Sequence, residues 1–423
     1  MRRIFSRVKK FSILHWEWIF VALAVVVRVV MVLAFTAYDD YLVSDMGGYH
    51  ERATLFAQGL EINFAVYWPP AFHTLLGGLY WLAAQLGLWD LRVELFIVSS
   101  ALLWGIAGWC MAQLVKLFTT SKSAYYITFA LIQLWFPLWY LNIFVLSENW
   151  SVPLLFIGLY ASLLRANSTR WLAVGAACLA VAVAIRPAFI FLLVPLALWA
   201  VVKYPKFKLA IFFLVQLTVL LVAGLNTYIQ SKSQTWGLGA NGGAVFALVW
   251  CDVKQLFYFG NGESFSFAPP AVIEYPAYKV MSFSTPFTDQ NFYYKLGAEC
   301  LANSNPTQIL AKNIQRLFDS KVFPRFYDIW VTLDILHVYK VWTLVNLGLS
   351  ALVWLLPRKY LPSPAITVLF LGLFLASVLA VVQGVGEERY LWPVQPLIFL
   401  MAIPAYVWCG DNLRKVINRL RLN

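Results

Sequence analysis

Charge is what this chain has least of: Asp, Glu, Lys and Arg together make up 12% of its 423 residues. A soluble domain carries about twice that fraction, so a globular protein free in water is excluded. Acid is scarcer than base, with 20 Asp and Glu against 32 Lys and Arg and a net charge of +12. The excess does not indicate nucleic acid. The basic residues sit at the chain ends, in MRRIFSRVKK and NLRKVINRLRLN, and in short loops, as cytoplasmic flanks of a membrane protein do. No nucleic-acid partner is expected. Five cysteines and four histidines show no CxxC or His-rich spacing, which argues against zinc. Cys110, Cys178 and Cys409 read as small apolar fillers. Cys251 and Cys300 share one hydrophilic stretch, where a disulfide and two free thiols are equally open. Internal repeats, low-complexity tracts and inverted repeats are all lacking, which removes the sequence basis for solenoids and for transporters built from related halves.

Apolar residues are what the chain has instead, at 61% of its length and a mean hydropathy of +0.71. Runs of roughly 20 such residues, enough to cross a bilayer, recur throughout. Candidate spans are 17–38, 69–88, 93–118, 123–143, 149–165, 171–186, 187–202, 209–227, 341–356, 364–383 and 391–409. The first follows a basic region as a signal peptide would. It is too long for a cleaved apolar core, contains Arg28 and lacks a small-x-small site, so a retained span is expected.

With all eleven spanning and the N-terminus inside, the basic tail (Arg414, Lys415, Arg419, Arg421) and the Lys and Arg of three loops fall on the wrong side. Demoting 69–88, which opens on Pro69-Pro70 and holds Gly77-Gly78, to an interfacial or re-entrant element repairs every violation. The fold class expected is therefore an all-α polytopic membrane protein of about ten transmembrane helices with both termini cytoplasmic. It divides into an N-terminal transmembrane module 1–227 with a first external loop 39–92, an external irregular cap 228–340, and C-terminal transmembrane helices with a basic tail 341–423. Within the cap, 305–318 reads as an amphipathic interfacial helix, with Ile309, Ile314, Leu317 and Phe318 on one face.

This topology gathers the ionisable groups on one outer face: loop 39–92, LSEN (146–149), the Arg186-Pro187 break, the cap, and GEERY (386–390). The densest stretch is SDMGGYHERATLFAQG (44–59). If 47–58 is a helix, Asp45 stands at its N-terminal edge, and Tyr49 and Arg52 follow on a similar face. Gly47 and Gly48 leave the backbone open there, which suits a sugar or phosphate. Asp45 is equally readable as a helix N-cap. Asp39 and Asp40, at the membrane exit, read as solvated. In VYWPPAFHTLLGGLYWL (66–82) the double proline stops a helix, and the aromatics suit an interface where His73 lies near a lipid head group.

These motifs in order resemble a known family. They are an aspartate leading DxxxYHxxA, then WPPAF, SEN opening a span, AIRPAF ending one, and GEERYLWPVQPL before the last. The set resembles the GT-C integral-membrane glycosyltransferases, in the branch of protein O-mannosyltransferases and lipid A aminoarabinose transferases. The likeness covers about 1–225 and 340–410, and touches the cap only through ANGGAVF. It implies a hexosyl- or pentosyltransferase that moves a sugar from a polyprenyl-phosphate carrier to a hydroxyl of a lipid, glycan or protein. The site would face outward from a bacterial inner membrane and serve the cell envelope. Asp45 takes the position of the family's catalytic base. Relatives often carry a second acid beside it, where this chain has Met46, Gly47 and Gly48, and Trp68 replaces a lysine of the lipid A branch.

The implied chemistry is single-displacement inversion, with Asp45 as base and arginines on the departing phosphate. Arg389 leads as phosphate ligand and Arg186 and Arg52 follow, because a guanidinium grips phosphate bidentately. Arg389 pairing with Glu387 or Glu388, and Arg186 snorkelling to the interface, are the bland alternatives. Glu148 orients the acceptor or pairs with an arginine. Tyr49, His50, His73 and Tyr390 are candidates around the sugar, and each also fits interfacial packing. No carboxylate cluster obliges a metal, and none is expected. No cofactor is expected either, since the lipid-linked sugar is a substrate. A secondary transporter or lipid flippase is the rival reading, a non-catalytic relative a second, and a polysaccharide ligase a third.

Overall fold

The apolar runs fold as helices. The computed structural model describes residues 2–36, 38–42, 44–62, 68–133, 142–232, 236–239, 242–250, 258–260, 263–265, 286–319, 333–382 and 395–422. Helix α1 (Arg2–Phe35) joins the basic start to the first apolar run without a break. After a single turn at Tyr38–Tyr41 come α2 (Ser44–Ala57) and α3 (Pro70–Gln85). Then follow α4 (Arg92–Leu114), α5 (Lys122–Gln133), α6 (Glu148–Leu164), α7 (Thr169–Ile185), α8 (Ile190–Lys203) and α9 (Lys206–Gln230). Among the described residues, four stretches are long and apolar enough to cross a membrane: Trp16–Phe35, Trp89–Leu117, Lys206–Gln230 and Gln395–Asn418. Thr169–Ile185, Pro187–Lys203, Val341–Leu355 and Pro364–Ala376 are shorter apolar helices.

Helix α4 is the centre of the bundle. α1, α3, α5 and α6 all pack on it, and its Phe96, Trp104, Ala107 and Met111 are fully buried. Helix α9 is peripheral, with Leu214, Leu217, Leu221, Val222 and Leu225 exposed, an apolar face suited to lipid. Arg28 would be costly in lipid; it is buried against α4 and α5, and its Nη2 donates to the Gln133 main-chain oxygen at 3.0 Å. Helices α6 and α7 approach closely, because a Cβ on Gly158 would lie 2.7 Å from Leu179 and one on Gly175 2.5 Å from Ser162 Oγ.

The two short helices of the first loop end in the same device. Gly59 (φ 69°) closes α2 with Leu60 N–H on Leu55 O and its own N–H on Phe56 O, and Gly87 (φ 70°) closes α3 with Leu88 on Ala83 and Gly87 on Ala84. This paired pattern satisfies the last carbonyls and needs a left-handed residue, which glycine supplies without steric cost. At 16 residues α3 is about 24 Å long, short of the ~30 Å hydrocarbon core.

Within 228–340 the described residues are more regular than the expected irregular cap. Helices α10 (Gly242–Trp250), α11 (Pro286–Asn303) and α12 (Pro306–Asp319) accompany one antiparallel pair, β1 (Tyr258–Gly260) with β2 (Glu263–Phe265). Helix α12 overlies the expected 305–318, and its Ile309 is buried. Cys300 is disulfide-bonded, while Cys110, Cys178 and Cys409 are free thiols; Cys251 lies outside the described residues. The chain finishes with α13 (Leu333–Leu352), α14 (Pro364–Val382) and α15 (Gln395–Leu422). Helix α15 carries the last span straight into the basic tail.

Candidate functional site

Helix α2 starts at Ser44, three residues earlier than its sequence indicates, so Asp45 lies inside the first turn and not ahead of it. Positions 45, 49 and 52 then share one face. Tyr49 is buried on that face, and Asp45 and Arg52 are half-buried. The structure brings this face onto the start of α3. The Arg52 guanidinium lies 4.3 Å above the Trp68 ring, and its Nη1 donates to Gly48 O at 2.9 Å. A cation on an indole face is itself favourable. Burial lowers the Arg52 pKa from its ordinary value, and the negative groups of Glu51, Tyr49 and Asp45 oppose that shift. Asp45 and Arg52 are thus electrostatic neighbours.

Pro69-Pro70 starts α3 where the sequence places a break, with proline at the first helical positions. His73, one turn on, is fully buried. Its Nε2 is 2.8 Å from Gln230 Oε1 at the end of α9, and Arg52 lies within electrostatic reach. Gly239, where the chain enters the cap, sits so close over this point that a Cβ would be 3.2 Å from Pro69 Cα. Lys232 pairs with Glu61, tying the loop after α2 to the chain beyond α9.

Glu148 and Arg186 form a second cluster. Arg186 precedes Pro187, so it is held extended (φ −134°, ψ 89°) at the end of α7. Its Nη1 reaches Glu148 Oε1 at 2.6 Å, at the start of α6, and Ser147 Oγ donates to Glu148 Oε2 at 2.9 Å. Aromatic contacts join the two clusters. Tyr49 meets Phe72 edge-on at 4.8 Å, and Phe72 meets Trp150, two residues past Glu148, at 5.7 Å. Asn149 fixes this corner, accepting from Trp104 Nε1 and donating to Phe144 O.

His50 points elsewhere. Its Nδ1 is 3.0 Å from the Tyr80 hydroxyl, on the side of α2 near Arg92. Burial and then the Arg92 charge lower its pKa to about 4. Asp39 and Asp40 are exposed on their turn, where Tyr38 donates to Glu94 Oε1 at 2.7 Å. Slight desolvation beside the helix ends, then Glu94 and Asp40, raise the Asp39 pKa against the opposing charge of Arg92. Arg389 and Tyr390 lie outside the described residues. Among the described residues no three His, Cys, Asp or Glu side chains gather as a metal-binding group.

Sequence reasoning passed over Trp68 as the seat of Arg52 and missed the polar group of Thr74, Asn226 and Gln230. The signal for the latter was present: Asn226 and Gln230 stand four apart at the polar end of an apolar helix. No family model matches this chain, and no curated protein matches it in sequence.

Proposed function

We propose that this chain is an integral-membrane glycosyltransferase of the GT-C kind, with about ten spans and both termini in the cytoplasm. It takes a sugar from a polyprenyl-phosphate carrier and delivers it to an acceptor hydroxyl on the extracytoplasmic face of a bacterial inner membrane. One observation carries the reading. Asp45 and Arg52, a carboxylate and a guanidinium, stand two turns apart on one face of α2 and within electrostatic reach of each other, with the cation seated on Trp68 at the double proline.

The reaction needs little more. The carboxylate of Asp45 takes the proton of the acceptor hydroxyl as its oxygen attacks the anomeric carbon. The bond from that carbon to the phosphate oxygen breaks, and polyprenyl phosphate leaves with the electron pair. Arg52 binds the phosphate oxygens and offsets the charge that collects there; Arg389 is the second cation assigned to them. Glu148 keeps Arg186 occupied, so the pair frames the site. The aromatic wall of Tyr49, Phe72 and Trp150 packs between the two clusters and keeps water from them. Gathering of these groups at one end of the bundle, instead of at a bilayer midplane between related halves, favours transfer over transport.

The test is transfer of radiolabelled sugar from polyprenyl phosphate in proteoliposomes of purified protein, with cell-envelope glycans as acceptor. Asp45→Asn is expected to lower turnover by roughly 10²–10⁴-fold without loss of folded protein. Undiminished transfer by that variant would reject the base, and movement of the carrier across liposomes with no transfer would favour the flippase.

A further inference from the structure

The amide of Gln230 is fully committed. Its Nε2 donates to Thr74 Oγ1 at 2.8 Å and to Asn226 Oδ1 at 2.9 Å, which uses both amide hydrogens. Asn226 Nδ2 also donates to Thr74 Oγ1 at 3.0 Å, so the three side chains fix one another. Only Gln230 Oε1 faces His73, and an amide oxygen can only accept. The nitrogen 2.8 Å away, His73 Nε2, therefore carries the proton. A second ring proton would set two cations together in a buried place, since the Arg52 guanidinium is within reach. His73 Nδ1 is then a bare lone pair. It is buried and has no hydrogen-bond partner among the described residues.

An acceptor kept from water without a donor is costly, and the chemistry of the missing donor is limited. A phosphate diester offers only acceptor oxygens and would repel the lone pair. A hydroxyl fits. We infer that His73 accepts a hydrogen bond at Nδ1 from a hydroxyl of the transferred sugar, and that Gln230 positions it by fixing the ring tautomer. This deepens the transferase reading and rests on it: Arg52 on Trp68 takes the carrier phosphate, and His73, on the next turn, takes the sugar. His73 is in this sense a specificity residue and Gln230 a positioning residue.

The experiment uses the full chain in nanodiscs with ring-¹⁵N-labelled histidine. There are four histidines, at 15, 50, 73 and 337, and the His73 signals are identified by their loss in His73→Phe. The probes are decaprenyl phosphate and its mannosyl, glucosyl and galactosyl esters, with binding followed independently by tryptophan fluorescence. His73 Nδ1 is expected to be the unprotonated nitrogen, and its signal is expected to shift with at least one sugar ester and not with bare decaprenyl phosphate. His73→Phe and Gln230→Leu are each expected to weaken that ester roughly three- to ten-fold while bare carrier binds within two-fold of wild type. A protonated Nδ1 overturns the inference. So does a signal unmoved by a sugar ester that binds, or moved equally by the bare carrier, and in either case the transferase reading stands. If no carrier binds at all, the transferase reading falls and the inference falls with it. The spectrum of the unaltered protein decides the tautomer even where a variant fails to fold.

Discussion

Arg186 Nη1 and Glu148 Oε1 stand 2.6 Å apart, and this contact ties the residue that caps the end of α7 to the first turn of its neighbour α6. The carboxylate is almost wholly buried and the guanidinium nearly so, at 2% and 13% side-chain exposure. Removing one partner of such a pair strands the other charge, at a cost of about 3–5 kcal/mol. Arg186→Gln and Glu148→Gln are therefore each expected to destabilise the protein by about 3 kcal/mol. The double variant is expected to regain at least half of the summed loss. Denaturant unfolding in mixed micelles, run as a double-mutant cycle, measures the coupling. Additive losses would show that the two side chains do not depend on each other.

That pair also shows where sequence reading reaches its limit. The break at Arg186-Pro187 was legible because a proline disfavours helix at the residue before it, and the start of α6 followed from the apolar run after SEN. Nothing in either stretch says that the two ends meet. The supposed helix 47–58, the apolar run 69–88 and the amphipathic stretch 305–318 likewise lie within a few residues of α2, α3 and α12, because helix faces and glycine or proline stops are local properties. Side-chain partners are not local. His73 and Gln230 are 157 positions apart, and only the packing of α3 on α9 makes them neighbours. Asp45 drew attention because it stands in a motif, whereas the stacking of Arg52 on Trp68 leaves no mark in the sequence between them.

Arg52 owes its place to the flat face of Trp68, so the shape of the cation matters as well as its charge. Arg52→Lys keeps the charge and loses the stacked plane and the bidentate grip. On the proposed mechanism, in which Arg52 holds the phosphate of the lipid-linked donor, the variant is expected to raise the donor KM roughly ten-fold with a smaller fall in kcat. Gly48→Ala gives an independent route to the same effect. Its Cβ would lie 2.9 Å from Arg52 Nη1, the far end of a flexible side chain, so the guanidinium shifts while the helix survives. Initial rates against donor concentration in proteoliposomes separate these outcomes, and a donor KM unchanged in both variants would remove Arg52 from the phosphate.

The adjacent glycines of α3 are expected to respond in opposite directions. A Cβ on Gly77 would sit 2.7 Å from Phe56 Cδ1 and 3.0 Å from the Ala53 carbonyl oxygen, directly in the contact between α2 and α3. The ring can swing, but the carbonyl cannot without moving α2. Gly77→Ala should therefore cost about 1–3 kcal/mol and displace the helix that carries Asp45. A Cβ on Gly78 would meet nothing within 4 Å, so Gly78→Ala gains helix propensity alone, about 0.5–1 kcal/mol of stability. Thermal unfolding of the two single variants is the measurement, and equal responses would mean that α2 does not rest on Gly77.

His50 makes folding sensitive to acid. Burial and the nearby Arg92 charge hold its pKa near 4, against an ordinary 6.5. Between those values the unfolded chain binds a proton that the folded chain refuses, so stability rises with pH across this window and is lost as pH falls from 6.5 towards 4. Above 6.5 the imidazole is neutral in both states, and its Nδ1 keeps its place 3.0 Å from the Tyr80 hydroxyl. His50→Gln removes the titration along with that contact. The variant is expected to be less stable than wild type at pH 7, and the gap between them is expected to narrow steadily down to about pH 4. Unfolding midpoints of both proteins at half-unit steps of pH give the difference curve. A gap that stays constant through the window would mean that His50 takes up its proton as an exposed histidine does, and that α2 does not bury it against α3.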